Sequence, residues 1–314
     1  MENLSFFLTT LTTPYYLGSM LNTATLFVIA SLGAIFCTKS GELNLGGEGQ
    51  IYLGGFITAI LLNAFSTLPA FFAILFSFLA SMFFSGFLTL LSAILKKSKN
   101  TSFLLTSFII SAAIIPIIDG FIANRFNEGT LLATPFINER FRFPIIFPPS
   151  SLNISFFIAI VLMILIYLFF SKTKFGSQIE VYGISPEFAI YSGLNITKIS
   201  FVSAFMSGAL HGLTGAIAIC GTYYTCHTSF AVGLGWNALS VAMIASNNPI
   251  LTFPAAIFLA WILTSAERIS MFNNANYDIS SLIQAIILFI ISIPFIANAL
   301  KKKNKKSDVK AKII

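Results

Sequence analysis

The stretch Asn44-Leu45-Gly46-Gly47-Glu48-Gly49-Gln50 sets one carboxylate and two carboxamides among three glycines, with apolar residues on both sides. A carboxylate near the bilayer interior costs at least about 2.5 kcal/mol on insertion scales, so such groups usually face a bundle interior or a solute pathway. Glycine is poor helix interior, about 1 kcal/mol worse than alanine at each position. The cluster therefore implies an interrupted helix or a close approach of two backbones. Polar groups at an interrupted helix are a recurrent way to build a transport site. Placed at the cytoplasmic membrane surface instead, Glu48 would only anchor a loop.

Other polar residues fall at membrane depth. His211 stands beside Gly212, where a lone histidine reads first as an interhelical hydrogen-bond donor. Asn237 sits in a short segment that also holds Gly233 and Gly235. Asp119 either caps a helix or lies on an access route, and Glu267 with Arg268 reads as an interfacial pair. Asn247-Asn248-Pro249 reads as a turn.

Several chemistries are missing from the chain. No glycine is followed by lysine, so there is no phosphate-binding loop of the Walker type. Two histidines, three scattered cysteines and no GxSxG or HExxH leave no hydrolase or metal set. Cys37, Cys220 and Cys226 read as small buried residues. The expectation is a chain that is not an enzyme and holds no metal or cofactor. If ATP drives it, another chain binds the nucleotide.

The elements that must carry these residues are membrane helices. Of 314 residues 56% are hydrophobic and only 9% charged, against roughly a quarter charged in soluble domains; the mean hydropathy is +0.88. The apolar residues come in runs of about 20, the length a spanning helix needs. The reading is an all-α, polytopic transmembrane bundle of about nine spanning or embedded segments: 18–37, 45–64, 69–95, 101–120, 153–171, 199–221, 232–246, 250–266 and 279–300. The seventh is short enough to be a half-helix or a re-entrant segment. The net charge of +7 comes from short basic clusters between the runs and from the tail 301–306, which suits anionic lipid rather than nucleic acid. Clusters at Lys96, Lys97 and Lys99, at Lys172 and Lys174, and in the tail follow the third, fifth and ninth segments. Positive-inside counting then sets the N-terminus outside and the C-terminus in the cytoplasm.

Ala204, Gly208, Gly212 and Ala216 recur every fourth residue, leaving one helix face without bulk for close packing. The polar stretch 172–198 differs in kind. Pro186 and Glu187 start a short helix through Ala189 and Tyr191, and Gly193 ends it. On the cytoplasmic side such a helix either docks a soluble partner or lies on lipid.

At these residues the sequence resembles the permease subunits of bacterial ATP-binding cassette importers, in the group for nucleosides, ribose-type sugars and branched-chain amino acids. Lys39-Ser-Gly-Glu-Leu-Asn-Leu-Gly-Gly-Glu-Gly-Gln50 is similar to that family's G-x-x-N-I-G-x-E-G-Q stretch. Gly183-Ile-Ser-Pro-Glu-Phe-Ala-Ile-Tyr-Ser-Gly-Leu-Asn195 resembles its cytoplasmic loop, with Phe188 in place of an alanine. Ser207-Gly-Ala-Leu-His-Gly-Leu-Thr-Gly-Ala216 matches another stretch, with His211 in place of a small residue, and residues 235–249 match a fourth. Gly49-Gln50, Asn247-Asn248-Pro249 and Tyr277-Asp278-Ile279 look most like the purine-nucleoside members. The resemblance implies a permease domain over 1–314 in the bacterial cytoplasmic membrane. It would pair with a second permease chain, ATPase subunits that hold the ATP, and an extracytoplasmic substrate-binding lipoprotein. Solute would pass by alternating access, lined by Asn44, Glu48, Gln50, His211 and Asn237, with Pro186, Glu187, Ala189, Tyr191 and Gly193 in the ATPase coupling loop. The N-terminal stretch is short, so the extra leading helix of some members is expected to be absent here. The rivals are a permease for ribose or another simple sugar, and an ATP-independent carrier or channel.

Overall fold

The computed structural model of the chain describes residues 2–126, 132–272, 282–287 and 289–290. Among these are eleven α-helices: α1 (Glu2–Thr12), α2 (Pro14–Lys39), α3 (Gly47–Ala64), α4 (Ala70–Lys99), α5 (Phe103–Arg125), α6 (Ser155–Lys172), α7 (Lys174–Ile184), α8 (Pro186–Tyr191), α9 (Ile196–Ala218), α10 (Leu234–Ile244) and α11 (Thr252–Phe272). A π turn, Ile219–Tyr223, extends α9. Six of the helices are long and apolar enough to cross a membrane. The fold is a polytopic helical membrane bundle. The expected count of nine segments is not reproduced among the described residues: α3 and α10 are embedded but fall outside those six, and most of 279–300 lies outside the described residues, as does the tail 301–306.

Hydrophobicity does not tell inside from outside here, because lipid accepts apolar side chains as readily as a protein core does. Small and polar residues make the distinction. On α4, Ala73, Ser77, Ser81, Ser85 and Thr89 recur every fourth residue and are buried, while Phe72, Phe76, Phe83 and Phe87 stand exposed. The serine face meets the glycines of α9 and α3. A Cβ on Gly208 would stand 2.1 Å from Thr89 Oγ1, one on Gly212 2.5 Å from the Ser81 carbonyl, and one on Gly54 2.3 Å from the Gly212 carbonyl. Ser81 Oγ donates to Gly54 O at 2.8 Å and Ser85 Oγ to Gln50 O at 2.9 Å. Backbones thus touch where bulk is missing.

Helices α2 and α9 form the centre, with 89% and 83% of their most apolar windows buried, against 28%, 22% and 22% for α4, α5 and α6. Two features lie outside the sequence reading. Helix α1 precedes the first segment, where the short N-terminal stretch led to the expectation of no leading helix. Arg268 bonds to α1, donating to Phe6 O, Thr9 Oγ1 and Thr10 Oγ1; its guanidinium lies 3.6 Å from the Tyr16 ring centroid. This arginine is only 9% exposed, and a buried charge needs such partners.

Candidate functional site

Helix α3 starts at Gly47, beside His211, which stands near the midpoint of the helical stretch Ile196–Tyr223. Its first turn is therefore deep in the bundle, where unpaired N–H groups must find partners. Side chains supply them. Asn44 Oδ1 accepts from Gly46 N at 2.9 Å, and the α5 serines Ser107 and Ser111 accept from Leu45 N at 3.2 Å and Gly49 N at 2.8 Å.

Helix α10 starts at the same depth. Residues 224–233 descend toward it from the end where Ile137 N donates to Tyr224 O and Thr134 N to Cys226 O. The chain turns at Gly233, whose φ of +80° favours glycine, and α10 then runs toward the end of α2, where Thr38 Oγ1 bonds Asn247 Oδ1 at 2.7 Å. The starts of α3 and α10 touch: a Cβ on Gly235 would stand 2.3 Å from the Glu48 amide nitrogen. Glu48 lies between them. Its carboxylate accepts from Gly233 N at 2.5 Å. The positive ends of two helix dipoles thus share one acid.

The five residues expected to line a route separate into two groups. Asn44, Gln50 and His211 are 4%, 2% and 1% exposed and bond one another. Asn44 Nδ2 donates to Gln50 Oε1 and to Ser207 Oγ, both at 2.9 Å, and His211 Nδ1 lies 2.7 Å from Gln50 Oε1. They form a closed polar pin joining the α3 start to α9. Glu48 and Asn237 belong to the α10 start. Glu48 is only part-buried, whereas Asn237 is 6% exposed and its Oδ1 has no hydrogen-bond partner among the described residues. Trp236 and Gln284 also belong there, and the sequence reading passed over both. Gln284 Nε2 lies 3.5 Å from Gly233 O, and the Trp236 and Phe108 rings are 6.5 Å apart. An isolated tryptophan or glutamine in an apolar run carries no local signal of function. The α5 serines, four residues apart in one segment, did carry a signal of a polar face.

The stretch 172–198 folds as two helices, α7 and α8. Ser185 caps α8, its Oγ accepting from Phe188 N at 3.4 Å. Ala189 is buried and Gly193 turns the chain at φ +72°. Ile184, Phe188 and Tyr191 stand 79%, 61% and 90% exposed, an apolar surface on a polar stretch. Helix α7 is clamped to the end of α2. A Cβ on Gly183 would stand 2.0 Å from the Lys39 carbonyl, and Lys39 pairs with Glu180. Glu42, in the connection to α3, pairs with Lys96.

Residues 16–292 match the family described as branched-chain amino acid transport system / permease component. The chain belongs to that family. It is similar to the "Probable riboflavin import permease protein RfuC" of Treponema pallidum, 33% identical over 306 residues, covering 95% of this chain and 80% of the relative. It is also similar to the "Guanosine ABC transporter permease protein NupP" of Bacillus subtilis, 22% identical over 304 residues, covering 92% and 85%. Among solved structures it resembles a chain of PsaBC from Streptococcus pneumoniae in complex with Fab, with a TM-score of 0.51, 13% identity, and 92% of this chain and 95% of that one covered. That likeness speaks to the fold. The protein is an ATP-binding cassette transporter permease, a class of subunit that is not itself an enzyme.

Proposed function

We propose that this permease imports a planar nitrogen heterocycle carrying a ribose or ribose-like chain, a nucleoside or riboflavin, driven by ATPase subunits on separate chains. The observation that carries this reading is the meeting of the α3 and α10 starts around Glu48, Trp236 and Asn237 in mid-bundle. Interrupted helices that turn their N-termini on one point are how transporters hold a solute between two gates. An aromatic ring beside a carboxylate and a free amide suits a flat solute with hydrogen-bonding edges better than a plain sugar. Purine nucleosides fit that description. So does riboflavin, which the 33% identical relative's name favours.

The exposed face Ile184, Phe188 and Tyr191 would dock the ATPase. From there the route inward is short: α8 to α7, the Gly183–Lys39 contact, residues 40–46, then Asn44 and the α3 start. Movement of α7 would thus pull on the turn that holds Glu48. A second permease copy or paralogue would close the pathway, with a substrate-binding lipoprotein delivering solute from outside, the N-terminus on that side and the C-terminus in the cytoplasm. The decisive experiment reconstitutes the complex with its ATPase and binding protein in liposomes and measures uptake of labelled inosine and riboflavin. Uptake that needs ATP, ignores ion gradients and is blocked by unlabelled nucleoside or flavin but not by ribose is expected. Blocking by ribose alone, or uptake that survives loss of the ATPase, would refute the reading.

A further inference from the structure

The half-open side of the α10 start presents a particular hydrogen-bonding pattern. Glu48 offers an acceptor edge: a carboxylate has about four lone-pair sites, and Gly233 N–H engages only part of them. Beside it, two carboxamides converge on Gly233. A Cβ at that position would stand 3.3 Å from Gln284 Oε1, 3.6 Å from Gln284 Nε2 and 3.7 Å from Asn237 Nδ2. The missing side chain leaves these two carboxamides facing one point. Asn237 sharpens the point, being 6% exposed with an oxygen that nothing bonds among the described residues. An unsatisfied buried amide costs roughly 1–3 kcal/mol, a cost that a ligand able to bond it would remove. The Trp236 ring, half-buried and 6.5 Å from Phe108, supplies an aromatic surface next to this edge.

We infer that Glu48, Asn237, Gln284 and Trp236 read a cyclic amide, a ring N–H beside a ring C=O, on a flat heterocycle. This rests on the importer reading above. The ring N–H donates to Glu48 and to the unpartnered Asn237 Oδ1 beside it, the ring carbonyl accepts from the Gln284 amide, and the ring lies against Trp236. Hypoxanthine, guanine and isoalloxazine carry that N–H and C=O pair; adenine does not. Both solute classes of the importer reading, the oxopurine nucleosides and riboflavin, therefore present the edge that this site would bond.

The test uses the permease–ATPase complex in nanodiscs without binding protein, so that selection upstream plays no part. The chain has two tryptophans, and Trp261→Phe leaves Trp236 as this permease's reporter. Inosine is expected to change its fluorescence saturably, with adenosine and 1-methylinosine at least about tenfold weaker, because a site built around a hydrogen bond rejects analogues that lack the donor. Glu48→Gln is expected to remove most of that discrimination. Should that variant fail to assemble, Gln284→Leu is expected to weaken inosine about threefold or more without lowering the thermal midpoint. Equal affinity for inosine and 1-methylinosine, or discrimination intact in Glu48→Gln or inosine affinity intact in Gln284→Leu, overturns the inference. If the intact importer transports nucleoside or flavin while Trp236 responds to neither, the site is wrong and the importer reading survives. If the importer transports neither, both fall.

Discussion

Gly235 shows how tightly individual residues are specified. Its α-carbon packs on the backbone of Gly47 and Glu48, with no space for a methyl group. Gly235→Ala must push α10 off α3, and overpacking of this kind costs roughly 1–3 kcal/mol. We expect a lower thermal midpoint in detergent together with lost uptake; unchanged behaviour in both would show that the two helix starts do not need this contact. His211 gives a second expectation. It is buried in the pin with Asn44 and Gln50. His211→Ala should therefore lower stability by roughly 1–3 kcal/mol through a lost buried bond and a cavity. The KM for solute should stay within about twofold. A large rise in KM with normal stability would restore His211 to the route.

Helices α7 and α8 act as a unit hung from the end of α2. Lys39 and Glu180 are 19% and 38% exposed, so the pair contributes under about 1 kcal/mol to stability. Its value lies in registering α7 against the turn that leads to Asn44. Lys39→Glu is expected to uncouple ATP hydrolysis from uptake, with the exchanged pair Lys39→Glu with Glu180→Lys recovering part of the coupling. No recovery would mean that the backbone contact at Gly183 holds the joint alone. Tyr191→Ala is expected to reduce the ATPase that co-purifies with the permease while leaving its thermal midpoint unchanged. Local chemistry made α8 legible in advance, since Ser185, Pro186 and Gly193 carry its start and end. Helix α7 was missed because Lys174–Ile184 holds Lys174, Ser177, Gln178, Glu180 and two glycines without a strong apolar period.

The whole bundle inverts the usual arrangement of a soluble protein. Its long phenylalanine faces point outward and its serine and glycine faces inward, because in lipid only close contact and polar satisfaction hold helices together. Phe76→Leu should be nearly neutral for expression and uptake. Ser81→Leu should abolish assembly, since Ser81 Oγ bonds Gly54 O and the Ser81 carbonyl abuts Gly212. Comparable yields for the two variants would contradict this assignment of inside and outside.

Composition alone was enough for the helical membrane class, because roughly 20 apolar residues have no other stable setting than a bilayer or a large core. The glycine cluster at 46–49 likewise announced either an interruption or close contact before any coordinates. Folding chose between them, as a helix start pressed against a second helix start. The pairing of Glu48 with Gly233 joins residues 185 positions apart in the chain. No periodicity or propensity carries such a contact, because it depends on where residues 224–233 turn back into the bundle. For the same reason the bonds that join Asn44, Gln50 and His211 to one another were not legible in the sequence. A polar side chain at membrane depth must find a partner, and only the packing says whether that partner is a neighbouring helix or a solute.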